Sequence, residues 1–154
     1  MKIDFLFPNI AARDLQGLDV TLPDAFAGEH NVVIVAFQRH HQELVDSWVP
    51  WLEEHTAADA GLRFYELATI GRLWAPVRPF IDGGMASAIR EPVVLQRTLT
   101  IYGDVHKVTR PLGIEDRSTI TVLLVDGGGA VRWSATGGYD PEVARELGNA
   151  LPAT

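Results

Sequence analysis

The chain has 154 residues, of which 47% are hydrophobic and 21% charged, a composition typical of a globular domain and not of a disordered chain. It contains no cysteine, which excludes disulfide bonds, thiolate nucleophiles, zinc fingers and cysteine-ligated iron–sulfur clusters. The net charge of −7 disfavours nucleic acid as a partner, because binding a polyanion needs a basic stripe on the protein. We expect a single domain over residues 1–154.

Nothing in the sequence indicates a membrane segment. The longest apolar run, from Val32 to Phe37, is far shorter than the ~20 residues that a membrane-spanning helix needs. The amino-terminal stretch carries Asp4 among its apolar residues and lacks the hydrophobic region and small-residue cleavage site of a signal peptide. The sequence therefore predicts no membrane span and a cytoplasmic location.

The first half of the chain predicts a hairpin followed by a βαβ unit. Apolar and polar residues alternate over 15–23 around Gly17, which is typical of a short, partly exposed hairpin. The β-branched run Asn31–Phe37 predicts a central strand buried on both faces. Apolar residues three and four apart predict a helix over about 42–55, and renewed alternation predicts a second strand over 61–67. The connecting helix makes the two strands parallel.

The second half predicts a long middle region and then a strand, a hairpin and a helix. Residues 68–97 hold three prolines and a glycine pair, with one short apolar pattern typical of a helix. Residues 98–102 predict a strand, and 105–108 predict a single turn of helix. Two apolar runs, 119–125 and 130–134, are joined by three consecutive glycines and predict an antiparallel hairpin. Asp140, followed by a proline and an acid, predicts the cap of a final helix.

This order of elements resembles the thioredoxin-like superfamily, which includes the peroxiredoxins. In an ungapped comparison the central strand ends at Phe37, and the helix-kinking proline of that family falls on Pro50. Its two redox cysteines fall on Gln42 and Val45, and its cis-proline falls on Ile120. The resemblance implies an α/β fold: a central mixed sheet with flanking helices, an N-terminal hairpin extension and an insertion between the second main strand and the C-terminal hairpin. Because neither an amide nor an isopropyl group can attack a disulfide, thiol–disulfide oxidoreductase and peroxidase activities of the thioredoxin type are excluded.

Three parts of the chain are also similar to the mitochondrial ATP synthase assembly-factor family, which is thioredoxin-like and lacks the redox motif. They are Phe7–Ile10 leading into Leu15–Gly17, Ser47–Trp48 after the central strand, and Val122–Asp126 followed by Val131–Trp133. This resemblance implies a binding or assembly role of the chaperone type, with a protein as the partner. We assign no catalytic residue, no cofactor and no metal.

Four polar residues occupy the place where thioredoxin-like proteins hold their active site: Arg39, His40, His41 and Gln42. Backbone N–H groups at the start of a helix favour an anion, so this segment is a candidate ligand site. The other interpretation, which we favour, is a polar and solvated helix start without a ligand. Adjacent histidines project in different directions and need a third ligand, which argues against a metal site.

The candidate partner surface is a proline-rich apolar segment that holds Trp74, Pro76, Pro79 and Phe80. It is longer than a structural connection requires, which favours a role in partner binding or self-association. The leading hypothesis is a redox-inactive binding module. The alternatives are a small-ligand binder or enzyme with a replaced, cysteine-free site, and a homodimer without a ligand.

Two expectations concern single residues. Trp48 is expected in the core, because Trp48 and Trp51 are three residues apart around the helix kink expected from Pro50, and so do not both point the same way. Arg132 is expected to form an ordinary ion pair with Asp126 or with the final helix.

Overall fold

The computed structural model of this protein describes residues 5–14, 17–38, 41–70, 98–102 and 105–151. These residues form eight strands and three helices. The strands are β1 (Phe5–Leu6), β2 (Ile10–Asp14), β3 (Asp19–Leu22), β4 (His30–Ala36), β5 (Leu62–Ile70), β6 (Thr98–Tyr102), β7 (Thr121–Asp126) and β8 (Ala130–Thr136). The helices are α1 (Gln42–Ala58), α2 (His106–Leu112) and α3 (Pro141–Ala150).

The eight described strands form one mixed sheet in the order β1-β8-β7-β4-β5-β6-β2-β3. The β4–β5 and β5–β6 pairs are parallel, whereas β4–β7, β7–β8, β2–β3, β2–β6 and β1–β8 are antiparallel. The parallel β4–α1–β5 unit and the antiparallel β7–β8 hairpin confirm both predictions. The α/β class with a central mixed sheet and flanking helices is likewise confirmed.

The strand β4 lies at the centre and separates two apolar cores. Val32 and Ile34 face one core, and Val33 and Val35 face the other, because successive side chains of a strand point to opposite faces. All four side chains have no solvent exposure, which confirms the predicted burial on both faces. A β-branched run without polar residues is the pattern that such a doubly covered strand requires.

Helices α1 and α3 cover one face of the sheet and α2 covers the other. From α1 and α3, Trp48 and Leu147 enter the core that contains Ile34, and both are fully buried. The expected burial of Trp48 is therefore confirmed, and its Nε1–H donates to the Gly137 carbonyl at 3.1 Å. Val108 of α2 enters the opposite core. In the described part of the chain, no helix combines the length and the apolar character that crossing a membrane demands.

The N-terminal hairpin is present, but its first strand lies earlier in the chain than predicted. The strands are β2 and β3, with Ile10 opposite Leu22, so the hairpin begins five residues before the alternating segment 15–23. Gly17 lies between the strands with a φ of 88°, a left-handed value that glycine adopts at little cost. The turn was thus predicted correctly, and the strand before it was missed.

Two predictions near the C terminus are confirmed, the Asp140 cap of the final helix and the ion pair of Arg132. Asp140 caps α3, since its side chain accepts hydrogen bonds from the N–H groups of Glu142 at 2.8 Å and Val143 at 3.4 Å. Arg132 donates from Nε to Asp126 Oδ2 at 2.7 Å, which confirms the ion pair. Helix α2 is longer than the single turn expected over 105–108, and it ends at Gly113 with a φ of 66°.

Candidate functional site

The junction between β4 and α1 is built around a buried histidine. His41 is the residue before α1, and its side chain has no solvent exposure. Its Nδ1 accepts a hydrogen bond from the Phe37 N–H at 3.1 Å, immediately after β4. Its Nε2 lies 3.1 Å from the carbonyl oxygen of Ser118, in the segment that leads into β7. One imidazole ring therefore connects the end of the central strand, the start of α1 and the segment 113–120; we call this set of contacts the His41 bridge.

The two partners of the His41 ring determine its protonation state. Phe37 offers a hydrogen-bond donor, so Nδ1 must carry a lone pair. Ser118 offers a carbonyl acceptor, so Nε2 must carry the proton. Only the neutral Nε2–H tautomer makes both bonds, and it leaves no polar atom of the ring for a ligand.

The far side of the His41 bridge is held by a surface turn. The Asp116 carboxylate accepts hydrogen bonds from the hydroxyl and from the N–H of Ser118, the latter at 2.8 Å. The Ser118 hydroxyl lowers the pKa of Asp116 most and the Ser118 N–H lowers it further, and together they outweigh the opposing effect of burial. Gln38 adds a second connection, since its Nε2 donates to the Arg117 carbonyl at 3.3 Å. The segment 113–120 is therefore tied to the β4–α1 junction at two points.

The four residues of the candidate ligand site do not share one environment. Arg39 and His40 lie outside the described residues. His41 is buried, whereas Gln42 is exposed and donates from Nε2 to Asp46 Oδ1 at 2.8 Å, one turn along α1. The ligand role of this segment stays a prediction, and the contacts of His41 are those of a structural connection.

The candidate partner surface falls outside the described residues as well. Trp74, Pro76, Pro79 and Phe80 belong to the segment 71–97, so their role stays a prediction. Among the described side chains, the large apolar ones with most exposure are Leu6 at 71%, Leu18 at 59% and Tyr139 at 42%. They lie on separate elements.

A groove that the sequence did not indicate lies beside the first half of β5. Its volume is about 420 Å³. Its lining is mainly apolar, with one acid and one base: Asp14, Leu18, Val20, Ala25, Ala27, Thr56, Arg63, Phe64, Tyr65 and Leu99. No motif could have revealed it, because its residues come from distant parts of the chain.

Within the described ranges, no three histidine or acidic side chains come together in a way that could hold a metal ion.

Comparison with solved structures places this arrangement among known folds. A thiol:disulfide interchange protein from Bacteroides sp. superposes with a TM-score of 0.61 at 20% identity, over 95% of this chain and 88% of that one. The thioredoxin domain of a thiol-disulfide oxidoreductase from Bacteroides vulgatus gives 0.60 at 19% identity, over 94% of both chains. BsSco, a member of the Sco family of cytochrome c oxidase assembly proteins, gives 0.59 at 12% identity, over 97% of this chain and 95% of that one.

The fold is thioredoxin-like. The superpositions extend over nearly the whole chain and include the mixed sheet and the helices. At these identities the likeness concerns the fold alone. No family model matches the sequence, and neither does any curated protein. The finer similarity to the mitochondrial ATP synthase assembly-factor family therefore stays a prediction.

The His41 bridge lies where thioredoxin-like proteins hold their redox site. The β4–α1 junction is the place where the resemblance puts the redox cysteines, on Gln42 and Val45. Gln42 is exposed and Val45 is buried in the core beneath α1. Since the chain has no cysteine, it supplies no thiol for disulfide exchange at this or any other position.

Proposed function

We propose that this protein is a redox-inactive thioredoxin-like binding module, with a protein as its partner and an assembly or chaperone-like role. The observation that carries the proposal is the composition of the β4–α1 junction. The junction has no thiol, and its buried side chain, His41, bonds to the backbone on both sides. Without a nucleophile the junction cannot carry out disulfide exchange. We therefore infer that the fold serves the recognition of a partner.

The structural relatives support a role in assembly. BsSco belongs to a family of cytochrome c oxidase assembly proteins, and it shares the fold over almost the full length of both chains. The same fold thus occurs in proteins that assist the assembly of another protein. The client of the present chain is to be identified by experiment.

The partner surface in this proposal is the proline-rich segment with Trp74, Pro76, Pro79 and Phe80. Aromatic side chains are enriched in protein interfaces and supply much of the binding energy. Prolines have a restricted φ, so a segment that contains them loses less conformational entropy on binding. A second copy of this chain is the alternative occupant.

Quantitative affinity capture tests this surface. Tagged wild-type protein is compared with the Trp74→Ala, Phe80→Ala double variant by mass spectrometry of the captured proteins. We expect at least a tenfold loss of the main partner, because truncating an aromatic anchor costs about 2 kcal/mol or more. Leu6→Ala is the matched control, since Leu6 is 71% exposed and its truncation removes apolar surface elsewhere.

Two results would contradict this part of the proposal. An unchanged set of partners in the double variant would remove the proline-rich segment as the binding surface. An equal loss in Leu6→Ala would show a general effect of apolar surface. Light scattering on the same samples decides on self-association, since a monomer at high concentration excludes the homodimer.

The alternative function is small-ligand binding, or catalysis, at a replaced and cysteine-free site formed by Arg39, His40, His41 and Gln42. The observation in its favour is the exposed Gln42 side chain at the first turn of α1, where backbone N–H groups favour an anion. Calorimetric titration with inorganic phosphate tests it. Saturable binding that the Arg39→Ala, His40→Ala double variant loses would favour this function, and no heat of binding would remove phosphate as the ligand.

A further inference from the structure

We propose that the His41 bridge is a proton-sensitive connection: the neutral ring holds the β4–α1 junction to the segment 113–120, and acidification releases it. This inference concerns the free protein and is independent of the proposed partner. It starts from a buried titratable side chain whose two ring nitrogens bond to backbone groups of Phe37 and Ser118.

The geometry of the bridge accepts one protonation state. A second proton on the ring would sit on Nδ1, directly opposite the Phe37 N–H at a nitrogen–nitrogen distance of 3.1 Å. Two donors would then face each other, and the positive charge would lie in a place without solvent exposure. The protonated ring must therefore leave the Phe37 N–H, and once it turns into water both of its N–H groups can donate to water.

Among the residues that the structure describes, the charged groups around the bridge do not reverse this preference. On the segment 113–120 the neighbours are Glu115, Asp116 and Arg117, all exposed. Asp116 interacts electrostatically with His41, but water screens its carboxylate and the Ser118 hydrogen bonds occupy it.

On α1 the nearest acids are Glu43 and Asp46, both exposed, and Asp46 is bonded to Gln42. Arg39 and His40 directly precede His41 in the sequence. The strand ends that enter the junction, Val35–Phe37 and Ile120–Val122, carry no titratable side chain. The exposed acids therefore favour the protonated ring once it has reached the surface, which assists release.

The direction of the pH effect follows from proton linkage. A histidine in water has a pKa of about 6.5, and the released state binds a proton that the bridged state does not. The bridge is thus at full strength above about pH 7 and weakens as the pH falls through about 6.5, with a slope that approaches about tenfold for each pH unit well below that value. Neither the Phe37 N–H nor the Ser118 carbonyl changes its charge in this pH range.

Hydrogen exchange of the Phe37 amide tests this inference on the wild-type protein. After correction for the intrinsic exchange rate, we expect its protection to be nearly constant from pH 8 to 7 and to fall about fivefold between pH 6.5 and 5.5. The Val33 amide, in the middle of β4, is the internal control and keeps its protection unless the whole molecule unfolds. The ¹⁵N shifts of the His41 ring are followed in the same samples and report the neutral Nε2–H tautomer at pH 7.5.

Variants separate His41 from the other histidines. His41→Asn retains a side-chain acceptor for the Phe37 N–H but cannot be protonated, so its protection is expected to be independent of pH. His55→Gln, on the same helix, is the matched control and retains the wild-type profile. Constant protection of Phe37 down to pH 5 in the wild type would overturn the inference, and so would an unchanged pH profile in His41→Asn. If that variant does not fold, the wild-type ring shifts decide alone.

Discussion

At the scale of the residue, two neighbours in the sequence have opposite environments. His41 is fully buried with both ring nitrogens bonded to the backbone, whereas Gln42 is exposed and bonds to Asp46 on its own helix. The sequence places both in one polar segment, which is a candidate ligand site and which we interpret by preference as a solvated helix start. The difference arises because Ser118, 77 residues further along the chain, offers its backbone carbonyl to His41. Every residue has such a carbonyl, so no sequence pattern indicates this contact.

The Asp126 carboxylate carries a prediction about acid stability. Partial burial raises the pKa of Asp126, but hydrogen bonds from the Ala130 N–H, from Arg132 and from the Gly128 N–H outweigh it, and the net pKa is lowered. Because the pKa is lowered in the folded state, the carboxylate stabilises that state at pH values above its unfolded pKa of about 3.9. This contribution is lost as the pH falls through the pKa of the folded state.

Urea denaturation of Asp126→Asn as a function of pH measures this contribution. The variant is expected to be less stable than the wild type at pH 6, and the two stabilities are expected to converge as the pH falls below about 3.9. Arg132→Ala is the control for the ion pair alone, which is exposed and expected to be worth at most about 1 kcal/mol. A stability difference in Asp126→Asn that stays the same from pH 6 to pH 2 would contradict the assignment.

At the scale of the element, a strand or helix could be predicted when a pattern within a few neighbouring residues indicates it. The strand β4 and the helix α3 were found because an unbroken β-branched run and the series Asp140-Pro141-Glu142 state their structure within a few residues. The strand β2 was missed because its sequence, Ile-Ala-Ala-Arg-Asp, shows little alternation. Helix α2 was found too short because Pro111 interrupts its pattern, although the helix continues through it.

The cap of α3 carries the prediction at this scale. Asp140 accepts hydrogen bonds from two N–H groups that have no partner within the helix, and its charge lies at the positive end of the helix dipole. Asp140→Ala is therefore expected to lower the free energy of unfolding by about 1 kcal/mol, measured by urea denaturation. Asp140→Asn keeps the acceptor, so it is expected to lose less than half of that amount; an equal loss in both variants would show that the cap bonds do not matter.

At the scale of the whole molecule, the fold was predicted, whereas the candidate site stays a prediction. Element order was enough to give the thioredoxin-like class, because the βαβ unit, the closing hairpin and the final helix admit few topologies. The use of His41 as a bridge, and the groove beside β5, depend on contacts between elements far apart in the chain, which no short pattern contains.

Asn31 connects distant parts of the molecule and carries the prediction at this scale. Its amide is fully buried, accepts the Gly28 N–H at 2.9 Å, and donates to the carbonyls of Gly28 at 3.1 Å and Val125 at 3.3 Å. Asn31→Ala removes all three of these bonds, and the buried Gly28 N–H loses the side-chain oxygen that accepts from it. We expect a loss of about 2–3 kcal/mol in the free energy of unfolding, measured by thermal and urea denaturation.

Gln38→Ala is the matched control, since it removes an exposed side-chain amide with a single hydrogen bond to a backbone carbonyl. It is expected to change the free energy of unfolding by less than about 1 kcal/mol. Equal effects of the two substitutions would show that burial does not determine the cost.

The long span of the His41 bridge has a consequence for the order in which the chain folds. The parallel β4–β5 pair joins residues about 32 positions apart, such as Val33 and Tyr65, whereas the bridge joins residues 77 apart. Closing the longer loop costs more chain entropy, so β4, α1 and β5 are expected to assemble first and the segment 113–120 to arrive later. Substitutions at His41 then accelerate unfolding and leave the rate of folding nearly unchanged.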